Sequence, residues 1–427
     1  MLRRLRIYRF VRTSLAIVIS TLRYAWLLLR SRIPGLRPSS RAWAKAHART
    51  GRTIYRQATA LGGAYVKFGQ ILGTRGDVLP EELVAPLRGL HDRVPARPFS
   101  RLRRHVEREL GRPLESVFSE IAEEPIAAAS LAQVHRGRLV SGEDVVLKVQ
   151  YPEAARLFPG DLGNMRRAVR AVRLLHRRLD LRPLADELAE FVCLELEFAR
   201  EGVSTERIAG LFADDDSVRI PRLHAEYCSD RVLVLEYIEG ARLTDLDALR
   251  SRGVELPALA ERIASLYCAM IFEHGFFQAD PHPGNMLLLP DGTLALLDFG
   301  LTKELPPGFA DQVAVMIAAA IAKDEPGFRE AARGAGFSVG DDAGSLSSVV
   351  RMLVGQSGGG PRGLLDALDS GALRGAPSHF ALIVRALALL TGLTSSLAPG
   401  QNTVSTTLTR SLAPRVLAAA PRASGGS

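Results

Sequence analysis

The sequence lacks the means for a disulfide framework. Its 427 residues include three cysteines, Cys193, Cys228 and Cys268, far apart and with no CxxC pair. That excludes a cysteine-built zinc site and fits a reducing compartment. Aromatics make up only 6%, and no aromatic-laced reader module is visible, so nucleic acid is not expected as a partner. A small-residue cleavage site of a secretory signal is also missing. The most informative absence is of acid. No Asp or Glu precedes Asp77, while residues 1–76 carry sixteen Lys or Arg. The remainder holds 39 basic against 46 acidic residues, so the net charge of +9 belongs to the N-terminal segment alone.

Such a segment suits an anionic lipid surface or a targeting machinery. Within it, "SLAIVISTLRYAWLLLRS" has about eight apolar-leaning residues before Arg23 and six more before Arg30. Neither run reaches the roughly 20 residues needed to span a bilayer. Arginines flanking Tyr24, Trp26 and Leu27 to Leu29 predict a helix lying at a membrane surface. The alternatives are a helix whose apolar face packs on the protein itself and an organellar transit peptide. Residues 31–40, "SRIPGLRPSS", close this 1–40 segment as a linker.

Residues 41–121 form a helical extension. Its first part, 41–90, is mostly helix with one break in "YVKFGQILGTRGDVLPEEL". Pro80 with Glu81 and Glu82 marks a helix start, and a further basic helical pattern runs over 97–121, through "GRPLESVF". Residues 122–240 turn strand-rich: "PIAAASLAQVHRGRLVSGEDVVLKVQYP" alternates, with Ser141-Gly142 as a turn. Helix follows to about residue 212, and "RVLVLEYIEG" is a buried strand. Residues 241–427 are mostly helical, with one hairpin closed by Asp291-Gly292 and a flexible loop at 355–363. This order predicts an α+β fold with two lobes, a small β-rich one and a mostly helical one, and a ligand site in a cleft.

Phosphoryl transfer from ATP needs a cover over the phosphates, a cation on them, a carboxylate that fixes the cation, oxygen ligands for Mg²⁺, and an acidic group near the acceptor. The sequence offers candidates for each, taken here in chain order. Lys148 lies in the strand "VVLKVQ", as in the kinase V-A-I-K pattern, although a lone strand lysine is commonly just solvated. Glu195 is its expected ion-pair partner, with Glu197 and Glu201 competing. Asp280 and Asn285 have the D-x-x-x-x-N spacing of a kinase catalytic loop. Asp298 opens "DFG" across the hairpin, so that Asn285 and Asp298 can share one Mg²⁺. His282, clamped between Pro281 and Pro283 with no histidine at i+4, is read as structural.

These residues give the chain a family likeness. It resembles the AarF/UbiB family of atypical protein-kinase-like proteins, which includes the mitochondrial coenzyme Q kinases. "KFGQ" (Lys67, Gly69, Gln70) matches the K-x-G-Q signature, and "TRGDVLP" the segment after it. "AAAS" (Ala127, Ala128, Ala129, Ser130) matches the alanine-rich loop that replaces the kinase glycine-rich loop. "ELEFAREG" resembles the E-x-D motif with Glu197 for the usual Asp, and "QADPHPGN" with "DFG" matches the catalytic and metal motifs. The likeness covers roughly residues 55–305. Gln278 stands where the family usually has His.

The resemblance implies a kinase-like fold whose helical extension carries the K-x-G-Q motif, with Lys67 and Gln70 gating the pocket. It implies Ala127 to Ser130 over the phosphates, Lys148 on the α/β-phosphates oriented by Glu195, Asp280 at the acceptor, and Glu236, Tyr237 and Ile238 where a hinge holds adenine. The cofactors are ATP (or ADP) and Mg²⁺. Alanines let amides approach phosphates less closely than glycines do, and only "LTKELPPGF" separates DFG from a new helix. Both features point away from peptide phosphorylation and toward an ATPase or small-molecule kinase. The implied setting is quinone biosynthesis or lipid homeostasis, with a lipid or quinone precursor and quinone-biosynthesis proteins as partners. The implied location is cytoplasmic and peripheral to the inner (plasma) membrane, or mitochondrial in a eukaryote. The rival expectations are a true protein kinase and a non-catalytic, nucleotide-gated scaffold. The apolar "HFALIVRALALLTGL", broken by Arg385, is not expected to span a membrane.

Overall fold

A computed structural model describes residues 2–74, 79–90, 96–175, 182–337, 343–355 and 377–419. The expected loop at 355–363 falls outside the described residues from Gln356 onward, as do Arg75 to Val78 of "TRGDVLP". The chain divides into two units, residues 1–202 with 223–237 and residues 203–222 with 238–427.

The first unit opens with helices α1 (Leu2–Ser31), α2 (Ser40–Leu61), α3 (Ala64–Thr74), α4 (Glu81–Arg88) and α5 (Phe99–Leu110). Local chemistry sets their ends. The Ser39 side chain accepts from the Ala42 amide to start α2, and Glu81 and Glu82 sit at the positive end of α4. Helix α5 stops at Gly111, which takes a left-handed φ of 68°. The helical pattern expected to run on through "GRPLESVF" therefore ends there, and Phe118–Ile121 is instead strand β1. After β1 come β2 (Ala127–Ala128), β3 (Ala132–Leu139), β4 (Asp144–Gln150) and, beyond α6 (Ala154–Leu175), α7 (Arg182–Glu195) and α8 (Phe198–Leu211), strand β6 (Val232–Glu236); β5 (Val218–Arg219) belongs to the second unit.

The antiparallel sheet runs β1-β3-β4-β6, with β2 on β3. Val145, Leu147 and Val149 of β4 are fully buried on one face, so the two-residue period turns Lys148 to the other. One apolar core joins Ala58, Leu87, Leu102, Leu147 and Val234. The extension at 41–121 and the sheet thus form one unit, because the helices cover a sheet face that would otherwise meet water. Two glycines make the helix packing possible. A Cβ on Gly51 would lie 2.2 Å from the Leu83 carbonyl oxygen, and one on Gly69 would lie 2.3 Å from Leu90 Cδ1.

Helix α1 is continuous over 30 residues. The two apolar runs separated by Arg23 suggested a segment too short to span a bilayer, yet Arg3–Ser31 is long and apolar enough to do so by length and composition. Its inner face is tied to the unit. Arg9 is buried in a two-pronged ion pair with Asp161 of α6, at 2.8 and 2.5 Å, and Thr13 bonds Tyr65 of α3 at 2.7 Å.

In the second unit, α10 (Leu256–Cys268) runs into a π-helical turn, Ala269–Glu273, followed by strand β8 (Phe276–Gln278). The expected hairpin is present. Strands β9 (Met286–Leu288) and β10 (Leu294–Leu296) pair antiparallel around Gly292, whose φ is 88°. Strands β7 (Ala241–Arg242) and β5 flank them. A strand not anticipated from the sequence, β11 (Thr302–Glu304), pairs with β8 before helix α11 (Phe309–Ala322) begins. Helix Ser378–Leu397, which contains the apolar "HFALIVRALALLTGL", places Val384, Leu387 and Leu390 in this unit's core.

Gly51→Ala is expected to lower unfolding stability by about 1–3 kcal/mol, because the added methyl meets a backbone carbonyl that cannot turn aside. Urea denaturation measures it, and an unchanged midpoint would refute the close α2–α4 approach.

Candidate active site

In the first unit, Lys148 lies in the middle of the sheet, between Val134 of β3 and Leu233 of β6. Its Nζ is 2.5 Å from Glu201 Oε1 and 5.2 Å from the Phe198 ring centroid. This corrects the expected pairing with Glu195. Glu195 ends α7, the chain breaks at Leu196, and Glu201 sits on the next helix. The Gln150 side-chain amide holds that break by donating to the Leu196 carbonyl at 3.0 Å. Gly202 lets α8 approach closely, since a Cβ there would lie 3.3 Å from Leu223 Cδ2. A signal for Glu201 existed in the sequence. It falls on the helical stripe of Phe198, Thr205 and Ile208, all buried, and a carboxylate on a core face demands a partner. Glu197 lies on the exposed side.

Glu195 instead forms a close ion pair with Lys67, the lysine of the K-x-G-Q segment. Gln70 of that segment donates its amide to the Leu90 carbonyl at 3.0 Å, which ties α3 to the end of α4.

Ala127 and Ala128 form a short strand against Val134 and Gln133. The Ala129 amide donates to the Ala132 carbonyl at 2.8 Å, and Ser130 is buried. One amide of the expected phosphate cover is therefore engaged within its own turn. Glu236 pairs with Val145, the Tyr237 amide donates to the Asp144 carbonyl at 3.0 Å, and the Arg136 guanidinium lies over the Tyr237 ring at 4.2 Å. The boundary between the two units falls between Tyr237 and Ile238, at the position expected for a hinge.

In the second unit, the Leu297 amide donates to the Asn285 carbonyl at 2.9 Å, extending the Met286–Leu296 pairing by one step. Asn285 and Asp298 thus stand at the same end of one hairpin. The Asp298 Oδ1 accepts from the Gly300 amide at 2.9 Å, and Phe299 is buried in the core. His282 is exposed, and its Nδ1 accepts from the Gly284 amide at 3.1 Å, a local cap consistent with a structural role.

Gln278 supplies the link the sequence left unexplained. It is buried, and its Oε1 accepts from the Tyr267 hydroxyl at 2.5 Å. Burial, and then the nearby Asp280 charge, push the Tyr267 phenol well above its ordinary pKa. Two backbone carbonyls, which can only accept, fix the amide orientation. Nε2 therefore faces the Asp280 carbonyl at 2.6 Å and the Asp298 carbonyl at 3.3 Å. One side chain ties the backbone of the D-x-x-x-x-N loop to that of DFG. The pairing of Gln278 with Thr302, and the Ala279 amide on the Leu301 carbonyl at 2.8 Å, brace the same junction.

Gln278→Leu leaves the Tyr267 hydroxyl and the Asp280 carbonyl without this partner. It is expected to cost about 1–3 kcal/mol in chemical denaturation. Gln278→His, which can reproduce one donor and one acceptor, should recover part of the loss. Equal stability of Gln278→Leu and the parent would refute the bracing role.

Residues 89–332 match the family described as the ABC1 atypical kinase-like domain. A Synechocystis protein, sll0005, is 40% identical over 253 residues, 58% of this chain and 37% of its own. The Drosophila melanogaster AarF domain-containing kinase 1 is 38% identical over 251 residues, 58% of this chain and 48% of its own. The aligned part therefore spans about a third to a half of the length of these relatives. The solved structure of Rv3197 from Mycobacterium tuberculosis, in complex with erythromycin, aligns over 89% of this chain and 99% of its own with a TM-score of 0.58 at 24% identity, a likeness of fold. With more than half of its length matched to that domain, the chain belongs to the ABC1 atypical kinase-like family, in which relatives carry the name kinase.

Proposed function

We propose that the protein is an ATPase or small-molecule kinase using MgATP, or MgADP as a bound partner, at a membrane surface, in support of quinone biosynthesis or lipid homeostasis. The observation that carries this reading is the Gln278 clamp, which holds Asp280 beside the hairpin end bearing Asn285 and Asp298. The donor set fits the cation. An amide oxygen and a carboxylate at one hairpin end are hard ligands suited to Mg²⁺. Among the described residues no three His, Cys, Asp or Glu side chains gather into a metal cage, so the remaining ligands of such an ion would be phosphate and water. Bound there, Mg²⁺ would neutralise phosphate charge.

In this reading Lys148, held by Glu201, meets the nucleotide phosphates, and Asp280 orients or deprotonates the acceptor or water. Residues 236–238 accept the adenine, and Ala127 to Ser130 cover the phosphates. Lys67 and Glu195 form the contact that a gating movement of α3 would break. Peptide phosphorylation is disfavoured because the chain passes from Gly300 directly into β11 and then α11. No length is left there for an activation segment.

Membrane association is supported by the outer face of α1. Ile7, Val11, Leu15, Val18, Leu22 and Trp26 form one exposed stripe at helical spacing, in a segment with no acidic residue. With Arg9 and Thr13 bonded to the first unit on the opposite face, the helix lies along a bilayer surface.

Purified protein should release phosphate from ATP, or transfer it to a small acceptor, faster with anionic vesicles present. Lys148→Met and Asp298→Asn are expected to abolish MgATP binding. Asp280→Asn should keep binding and lose about 10²–10⁴ in turnover. Glu201→Gln should lower kcat/KM for MgATP more than Glu195→Gln does. Unchanged nucleotide affinity in both Lys148→Met and Asp298→Asn would remove the proposed site. Labelled phosphate on a protein, lost in Asp298→Asn, would favour a protein kinase instead. Cellular function that survives Asp280→Asn but not Asp298→Asn would favour a nucleotide-gated scaffold.

For the membrane contact, Leu15→Gln with Leu22→Gln and Trp26→Gln should weaken binding to anionic vesicles about ten-fold or more without unfolding the protein. Residual binding should fall with added salt. Equal binding by the triple variant would refute a surface-lying α1.

A further inference from the structure

The helical part of the first unit forms an open-mouthed cavity of about 400 Å³, within the size range of small-molecule sites. Its walls come from α1, α2, α3, α4 and α6, and no residue proposed above for nucleotide binding lines it. Helix α1 contributes Thr13, Ile17, Ser20 and Tyr24, a face distinct from its exposed stripe. The far walls include Phe68, Leu72, Leu83, Met165 and Val169. Leaving an apolar space of this size unfilled forgoes the contacts its lining would otherwise make.

Two features define what would fill it. First, among the described residues the lining contains no Asp, Glu, Lys or Arg. Burying a carboxylate or an ammonium against such walls would be strongly unfavourable, so the occupant is uncharged. Second, several polar groups of the lining already have partners, and one buried polar atom has none. Tyr24 OH bonds His47 Nδ1 at 2.9 Å, Thr13 bonds Tyr65, and Thr53 donates to the Arg49 carbonyl at 2.8 Å. Thr50 accepts from Arg23 at 2.9 Å. Gln57 Oε1, by contrast, is buried with no hydrogen-bond partner. A buried amide oxygen with no donor is a cost that a ligand hydroxyl would remove.

We infer that this cavity is a binding site for a neutral amphiphile, an apolar chain or ring carrying a hydroxyl donor that meets Gln57. The site is separate from the nucleotide residues and does not depend on their role. It is also separate from the outer face of α1, whose vesicle contact could fail without affecting it.

The test titrates the full-length protein with 1-decanol by calorimetry, beside decanoate at pH 8 and decyltrimethylammonium, all below micelle formation. One decanol is expected to bind per chain, with the two charged analogues at least ten-fold weaker. Gln57→Leu, of similar size but without the acceptor, should bind decanol about two- to ten-fold more weakly. Ala168→Phe, which pushes a ring into the cavity, should lose binding by more than ten-fold while the circular dichroism spectrum stays unchanged. If Ala168→Phe fails to fold, Gln57→Leu decides alone. The inference is overturned if decanol does not saturate, if decanoate binds as tightly, or if Gln57→Leu binds like the parent. A chain that self-associates through this opening and takes up no alcohol would overturn it equally.

Discussion

The candidate site of the second unit depends on the buried Gln278 side chain. Its amide can point only one way, because the carbonyl oxygens of Asp280 and Asp298 can only accept and so must face its nitrogen. Its oxygen then accepts from the Tyr267 hydroxyl. The D-x-x-x-x-N loop and DFG lie on either side of one hairpin, and each is a short irregular segment. A single oriented amide in a water-poor setting, where hydrogen bonds are stronger and unpaired groups costlier, fixes one against the other. The β8–β11 pairing then carries that alignment into the core beneath it.

The first unit handles its charges in a related way. Lys148, Arg9 and Lys67 each meet a carboxylate from a distant helix: Glu201, Asp161 and Glu195. The Lys148 and Arg9 partners are buried, so removing either carboxylate would take an opposite charge away from its cation in a water-poor setting. The Lys67–Glu195 pair is more exposed and correspondingly weaker. The helical extension and the sheet share one core, so a movement of α3 would be transmitted to packed neighbours.

Helix α1 serves this unit with two faces. Its bonded face closes the helical bundle over an uncharged cavity, and its outer face offers apolar residues at every helical turn. A helix built only for the interior would not expose Leu22 and Trp26 at 64% and 60% of their surface. One built only to span lipid would not bury Arg9 against Asp161.

Much of the candidate site's placement was legible from spacing: the hairpin that brings Asn285 and Asp298 to one end follows from its turn, and the side of the sheet that Lys148 takes follows from the strand alternation that turns it away from Val145, Leu147 and Val149. The fold class and family likeness were legible for the same reason, since periodicity and turn chemistry are local properties. Three assignments were not local. The choice among Glu195, Glu197 and Glu201 depended on where a helix breaks and which face it buries. The meaning of Gln278 depended on Tyr267, eleven residues away in sequence and reachable only through the fold. The strands after Gly111 and after Gly300 depended on sheet partners the chain supplies elsewhere. The sequence by itself determined which groups are present and on what kind of element. Only the tertiary structure decided which of them are partners, because burial and long-range pairing, rather than spacing, select the carboxylate for each cation and the carbonyl for each amide.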